Sequence, residues 1–426
     1  MATLYYDLSE QFLASGSRFK YYGISRTVME IGYELARSKA DVRFVIFSPA
    51  HDRFFEVYPR IGSASPTGVL DPNLPHEATP IRLRYSFPKA SAIRDVLYPL
   101  IRSVVRKVNL FRWRSVSKDR AKEVDLSGQV LVSLGRPKIM ADYLTALGDK
   151  AKEISFYPLL HDMIPLHEFA HPSQTMFSNN FTHDNHIVIR HAKGLLSNSR
   201  FTKQEIERFS ESGHLPAIPK VVAVSLAHQL RETNEAVSQE NPPAPYLMSV
   251  GILTGRKNLE CVMGALMLLH EAGKPVPHFC LAGARRKRAE TYIDQAQFSP
   301  IRSKIHYVLN PNQSELRALY EGALALVIPS KMEGWGLPLG EALWLGVPVW
   351  HQRHQRCAKS AMTLLSILNQ KIWRPWPDIS TACRATRSTL RRLKQKSGRS
   401  DICCDLGQML LLIFLLRFNN AQVVAE

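Results

Sequence analysis

A chain of 426 residues is too long for one ordinary core and suits two α/β domains. Hydrophobic residues make up 45% of it, which excludes a disordered chain. The net charge is +18, but 13 Lys/Arg stand against 4 Asp/Glu from Trp350 to Glu426, so half of the excess sits in the last stretch. No RNA-binding aromatic signature or zinc-finger spacing goes with that charge, so nucleic acid is not an expected partner.

The opening MATLYYDLSEQ lacks the basic start and apolar run of a signal peptide. No apolar stretch reaches the roughly 20 residues of a membrane span. The expectation is a cytoplasmic protein, peripheral at the inner membrane. Leu4–Tyr6 and Val42–Phe47 read as strands flanking a helix from about Ser25 to Arg37. Gly23 stands just before that helix. Val130–Leu134, Ile154–Leu160 and Gly194–Ser197 continue the strand pattern. Strands that alternate with helices predict a parallel sheet covered on both faces.

Ala92–Trp113 breaks that rhythm. Ile93, Val96, Leu97, Leu100, Ile101, Val104 and Val105 recur near helical spacing, and Arg94, Arg102, Arg106, Lys107 and Arg112 fill much of the rest. Two readings stand: a basic amphipathic helix on an anionic membrane surface, or a surface helix packed on the sheet. Further on, His167, His171, His183, His186 and His191 form a His-rich run. His167 and His171 have H-x3-H spacing but no third ligand fixed beside them, so the run reads as an acceptor-side loop and not a metal site.

A polar stretch from Arg231 to Pro245, ending in NPPAP, reads as a linker between an N-terminal domain of residues 1–230 and a second α/β unit of residues 246–349. In the second unit Tyr246–Val250, His278–Ala282, Ile305–Val308 and Ala325–Ile328 are the expected strands. Cys261 and Cys280 lie in apolar runs and read as reduced core residues. The fold class is therefore α/β, with two Rossmann-like domains in tandem and a ligand crevice.

Chemistry concentrates in two segments. SVGILTGRKN, Ser249–Asn258, puts Arg256 and Lys257 at the first βα turn, where they can neutralise a diphosphate. KMEGWGLPLGEALWLGVPV, Lys331–Val349, carries Glu333 and Glu341 eight positions apart around Gly334, Gly336, Leu337 and Pro338. Pro338 suits a first helical turn, with Glu341 in the opening turn of that helix. The glycines let backbone N–H groups approach a phosphate, and the helix start adds positive potential. One carboxylate can grip sugar hydroxyls and the other ribose hydroxyls.

The Lys331–Val349 string resembles the E-x7-E motif of family 4 of the retaining glycosyltransferases, which have the GT-B fold. Arg256–Lys257 is similar to that family's basic pair. Gly23-Ile24-Ser25-Arg26 looks like its N-terminal Gly loop, and His161-Asp162-Met163-Ile164-Pro165 resembles the H-D-x-I-P segment of bacterial mannosyl- and rhamnosyl-type members. Ser197–Thr202 also fits, with a helix cap at Thr202. The resemblance covers roughly Leu4–Val349 and is tight only after Ser249. It implies a nucleotide-diphosphate sugar as co-substrate, with GDP-mannose as the expected donor and no metal or other cofactor. The acceptor would be a glycan or a lipid-linked glycan of bacterial surface polysaccharide. Glu333 would position the sugar ring, His161 would stand near the reacting sugar, and no enzymic nucleophile is evident.

The resemblance stops at Val349. Residues 350–426 hold three of six tryptophans and four of six cysteines, with no sustained apolar period. Reading their codons one base earlier allows V-A-S-T-T-S-A-L-R-E-V-C-D-D-A-A-L-Y-F-E, the kind of text with which the family continues. The expectation is a frameshifted tail, poorly packed, that leaves the second domain incomplete. A novel extension is the other reading of the tail. An inactive remnant and a basic membrane- or nucleic-acid-binding protein are the rival readings of function.

Overall fold

The computed structural model describes residues 3–13, 23–38, 41–88, 92–167, 176–224, 226, 240–251, 257–283 and 287–351. The chain divides into two compact units, Met1–Leu226 and Ala227–Glu426. Most of the expected linker and all but the first two residues of the expected tail lie outside the described residues.

The first unit runs β1 (Leu4–Asp7), α1 (Ser9–Leu13), α2 (Ile24–Arg37), β2 (Val42–Ser48), β3 (Arg53–Val57), β4 (Arg60–Ile61), β5 (Leu70–Asp71) and α3 (Ala92–Trp113). It continues with β6 (Ala121–Val124), β7 (Val130–Ser133), α4 (Pro137–Leu147), β8 (Ser155–Leu160), α5 (Met176–His191), β9 (Leu195–Ser197), α6 (Arg200–Glu211) and β10 (Val221–Ala223). Eight strands form one sheet in the order β10-β9-β8-β7-β1-β2-β3-β6. The strands from β10 to β2 are parallel, whereas β3 and β6 add an antiparallel edge. The expected parallel sheet thus carries an antiparallel edge at one side. The turn at Pro49–Asp52 is short enough to reverse the chain, so no crossover helix intervenes. The core lies under α4 and α5, where Tyr143, Phe156, Phe47 and Val188 are fully or almost fully buried.

The second unit runs β11 (Tyr246–Val250), α7 (Leu259–Glu271), β12 (His278–Gly283), α8 (Lys287–Ile293), β13 (Ile305–Leu309), α9 (Gln313–Gly322), β14 (Ala325–Ile328), α10 (Leu337–Trp344) and β15 (Val349–His351). Its sheet is parallel throughout, in the order β13-β12-β11-β14-β15. Parallel strands buried on both faces need unbroken apolar runs, and Phe279, Cys280, Leu281 and Ala282 supply one. Two cores result, one centred on Met263 and Phe279 and the other on Met248, Cys280 and Tyr320. Helix α9 starts with a capping box, Asn312 and Glu315 each accepting the other's backbone N–H.

Two imidazoles meet between β12 and β13. His278 Nδ1 and His306 Nε2 are 2.8 Å apart, and Lys304 Nζ stands 3.4 Å from His278 Nε2. Burial, then Lys304, holds both rings below the ordinary histidine pKa, and His306 adds to the effect on His278. Above about pH 6.5 neither the folded nor the unfolded chain protonates these rings. As pH falls below that value the unfolded chain takes the protons first, so stability drops until the folded rings also protonate. His306→Gln should flatten the decline of the thermal midpoint between about pH 7 and about pH 5. Thermal melts of both proteins across that range test this, and parallel curves would refute it.

Candidate functional site

In each unit the parallel strands diverge at one point, between β1 and β7 in the first and between β11 and β14 in the second. Crossovers leave in opposite directions there, so the carboxyl ends of the two strands border an uncovered crevice.

In the second unit Lys257 follows β11 and Glu333 follows β14. Lys257 Nζ donates to Glu333 Oε1 at 2.5 Å, with 15% and 25% of the two side chains exposed. Half-buried and charge-assisted, this contact is stronger than a surface ion pair. The cleft around it is lined by Val250, Pro329, Ser330, Gly336 and Pro338 as well. Asn258, in the left-handed region at φ 56°, turns the chain into α7, and its Nδ2 donates to the Pro329 carbonyl at 3.2 Å. That bond ties the Lys257 loop to the end of β14. Arg256 lies outside the described residues.

Gly336 caps α10 at φ 75°, a conformation that favours glycine. Leu337 is the first helical residue, Pro338 falls in the first turn as expected, and Gly334 lies partly buried in the preceding bend. In that first turn Pro338 carries no N–H, and the Leu339 and Gly340 N–H groups bond the Gly336 carbonyl at 2.9 and 3.3 Å, so what the helix start offers a ligand is mainly its positive potential. Glu341 is not in the opening turn, which contains no acid. It is the fifth residue of a helix that already begins at Leu337, just past the first turn, and it is 3% exposed. Its Oε2 accepts a 2.8 Å bond from the Tyr320 hydroxyl on α9. The structure therefore brings Lys257, Glu333 and Gly336 to one cleft and places Glu341 behind it, held by a tyrosine that sequence reasoning missed. Tyr320 has no motif signal, because its partner is 21 residues away on another helix.

The first unit has a matching arrangement across its own divergence point. Glu10, after β1, accepts from the Arg136 backbone N–H at 2.9 Å and from Arg136 Nε at 2.8 Å, after β7. The Glu10 side chain is 1% exposed. Gly135 makes room for it, since a Cβ there would meet Glu10 Oε2 at 3.2 Å. Neither residue was expected from sequence, because 126 positions separate them.

His161 follows β8. Its Nε2 donates to the Leu134 carbonyl at 2.7 Å, leaving Nδ1 as the acceptor of the neutral ring. Burial lowers its pKa, against the opposing pull of the Leu134 carbonyl and Glu10. Asn198 Nδ2 donates to the His161 carbonyl at 2.6 Å and fixes the turn from the end of β9. Asp162 caps the following turn through the Ile164 N–H, so part of this segment is structural. The cap of α6 is Ser199, whose side chain accepts from the Thr202 N–H, and not Thr202 itself. Gly23 precedes α2 at φ 60°, with open space where a Cβ would stand. His167 is paired with Glu205, and His171 lies outside the described residues.

Residues 231–354 match the family model "Glycosyl transferases group 1". No curated protein matches the chain. Among solved structures, the chain resembles a sucrose-phosphate synthase from Thermosynechococcus elongatus, with 14% identity, 99% of each chain covered and a TM-score of 0.53. It also resembles the pneumococcal O-GlcNAc transferase GtfA in complex with UDP and GlcNAc, with 14% identity over 69% of this chain and 56% of that one, at a TM-score of 0.38. A third is WaaG, a glycosyltransferase involved in lipopolysaccharide biosynthesis, with 13% identity over 97% and 94% and a TM-score of 0.44. The chain spans just over half the length of GtfA and of TarM from S. aureus. The two Rossmann-like units have the GT-B fold, and the similarity to glycosyltransferases group 1 lies within the second of them.

Proposed function

We propose that this chain transfers a hexose from a nucleotide-diphosphate sugar to a glycan or lipid-linked acceptor, with retention of configuration. The observation that carries the reading is the Lys257–Glu333 pair at the β11/β14 crevice, beside the start of α10. Lys257 and Arg256 meet the diphosphate, the positive potential at the start of α10 adds to them, and Gly334, Gly336 and Leu337 let the phosphates approach. Glu333 positions the sugar ring and Glu341 holds the ribose. Gly23 faces the donor phosphates, and His161 stands near the reacting sugar.

The bond from the anomeric carbon to the diphosphate oxygen breaks, and the acceptor oxygen bonds to the same face of that carbon. The acceptor proton passes to the departing phosphate oxygen. No enzymic nucleophile is required, and the oxocarbenium-like transition state leaves its charge on the diphosphate. The H-D-x-I-P segment at His161–Pro165 favours GDP-mannose as donor. The reaction belongs to bacterial surface polysaccharide synthesis on the cytoplasmic side.

A second reading is an inactive remnant. It is favoured by the change of text after Val349 and by a family match that ends at residue 354. A frameshift there would leave both glutamates but remove the rest of their scaffold, and an ångström of misplacement costs orders of magnitude in rate.

Calorimetric titration with GDP-mannose, UDP-glucose and UDP-N-acetylglucosamine, on this chain and on a frame-restored version, separates the readings. The first expects GDP-mannose binding and turnover by the chain as it stands. The second expects turnover only after restoration. In whichever version is active, Lys257→Ala and Glu333→Gln should each lower kcat/KM about a hundredfold. Unchanged values in both would remove the assignment.

Tyr320→Phe isolates the group behind the cleft. Loss of the hydroxyl bond to buried Glu341 should raise the donor KM about tenfold with kcat nearly constant, and lower stability by roughly 1–2 kcal/mol. Steady-state kinetics and denaturant unfolding measure the two. A fall in kcat at constant KM would contradict a role through Glu341.

A further inference from the structure

Helix α3 is built with its polarity reversed. The polar side chains of one face point into the first unit and bond there. Arg102 Nη2 donates to Asp52 at 3.1 Å, Arg112 Nη1 to the Thr79 carbonyl at 2.7 Å, and Tyr98 Oη to the Arg84 carbonyl at 2.8 Å. Buried Asn109 bonds both the N–H and the carbonyl of Ile81. These contacts fix the rotation of the helix about its own axis.

Trp113 packs against Phe12 and Phe55, but one stripe of apolar side chains is left outside. Val96 is 76% exposed, Leu100 66%, Val104 55% and Phe111 70%, with Leu97 and Ile101 beside them at about half. Val96, Leu100 and Val104 follow one another at i,i+4, and Phe111 continues the stripe two turns on. Scattered exposed apolar residues are ordinary, but a contiguous stripe of this kind marks an interaction surface.

Charge selects the partner. Exposed Lys107 lies between Val104 and Phe111 on the same face and exposed Arg114 follows Phe111, whereas Arg106 lies on the inner side, where its Nε donates to the Ala50 carbonyl at 3.2 Å. Asp95, in the first turn, is the helix's one acid. Two copies of this face would bring like charges together. A layer with an apolar interior and an anionic surface satisfies both features at once. Among the described residues, no helix is long and apolar enough to cross a membrane, so the contact is with the surface.

We propose that α3 docks this protein flat on an anionic lipid surface, with the Val96–Leu100–Val104–Phe111 stripe entering the acyl boundary and Lys107 and Arg114 meeting the headgroups. Arg102 and Arg112, which composition alone would assign to the headgroups, serve the fold instead. The proposal stands independently of the transferase reading, and its test needs no donor.

The test is co-sedimentation of the full chain with vesicles of phosphatidylcholine alone and with vesicles containing equal phosphatidylglycerol. Binding should require phosphatidylglycerol and weaken as salt rises. The triple variant V96S/L100S/V104S should lose roughly tenfold or more in vesicle affinity, with an unchanged circular dichroism spectrum. K107E/R114E should lose binding too and should flatten the salt dependence. If the triple variant fails to fold, the charge variant decides. Wild-type protein that ignores both vesicles would overturn the proposal, as would folded variants that bind like wild type. Self-association abolished by the triple variant, without vesicle binding, would overturn it in favour of a second copy.

Discussion

The structure depends on where its parallel strands stop being covered. A crossover helix shields the strand it follows, but at the strand pair where crossovers leave in opposite directions nothing lies over the carboxyl ends. Polar groups can stand there without being buried under apolar side chains. Both units use the place in the same way, with an acid after one strand and a base after the other: Glu10 with Arg136, and Glu333 with Lys257. Each pair spans the gap between two strands that are neighbours in the sheet but distant in the chain, so it records that the sheet has closed correctly.

The two pairs differ in one respect that matters for chemistry. Glu10 is almost entirely buried and takes two hydrogen bonds from one residue, one of them from its backbone. That is the setting of a fixed strut. Lys257 and Glu333 keep part of their surface and face a cleft. A charged pair that retains access can exchange its partner for a ligand group, whereas a sealed pair cannot do so without losing its desolvated contacts. The nearby carboxylate of Asp7 shows the cost of burial more directly. Its pKa is raised by desolvation despite bonds from Ser9 and Ser133.

Much of this was legible from residue order. Buried parallel strands announce themselves as apolar runs, and Val42–Ser48 and His278–Gly283 lie within a residue of expectation because nothing else competes for such runs. The Glu333–Glu341 string was legible because glycine and proline at fixed offsets have few other uses. What escaped was set by long-range pairing. Arg53–Val57 and Ala121–Val124 become strands by adding to the sheet edge, and AKEV has no apolar period to reveal it. Glu341 falls just past the opening turn because the left-handed Gly336 starts the helix at Leu337, one residue before Pro338. The orientation of α3 was hidden for a related reason. Periodicity locates an apolar stripe but not the side to which it turns, and contacts to Ile81, Thr79, Arg84, Asp52 and Ala50 decide that.

The reversed helix also affects how freely this molecule can change. Core positions are coupled, since each side chain is hemmed in by others and one replacement calls for a second. The outer stripe of α3 is held by none of the bonds that seat the helix, so its residues are uncoupled from folding. Exposed positions of this kind shift stability by no more than about 0.5 kcal/mol when replaced. Descendants of this chain could therefore retune what that surface adheres to one residue at a time, with every intermediate still folded.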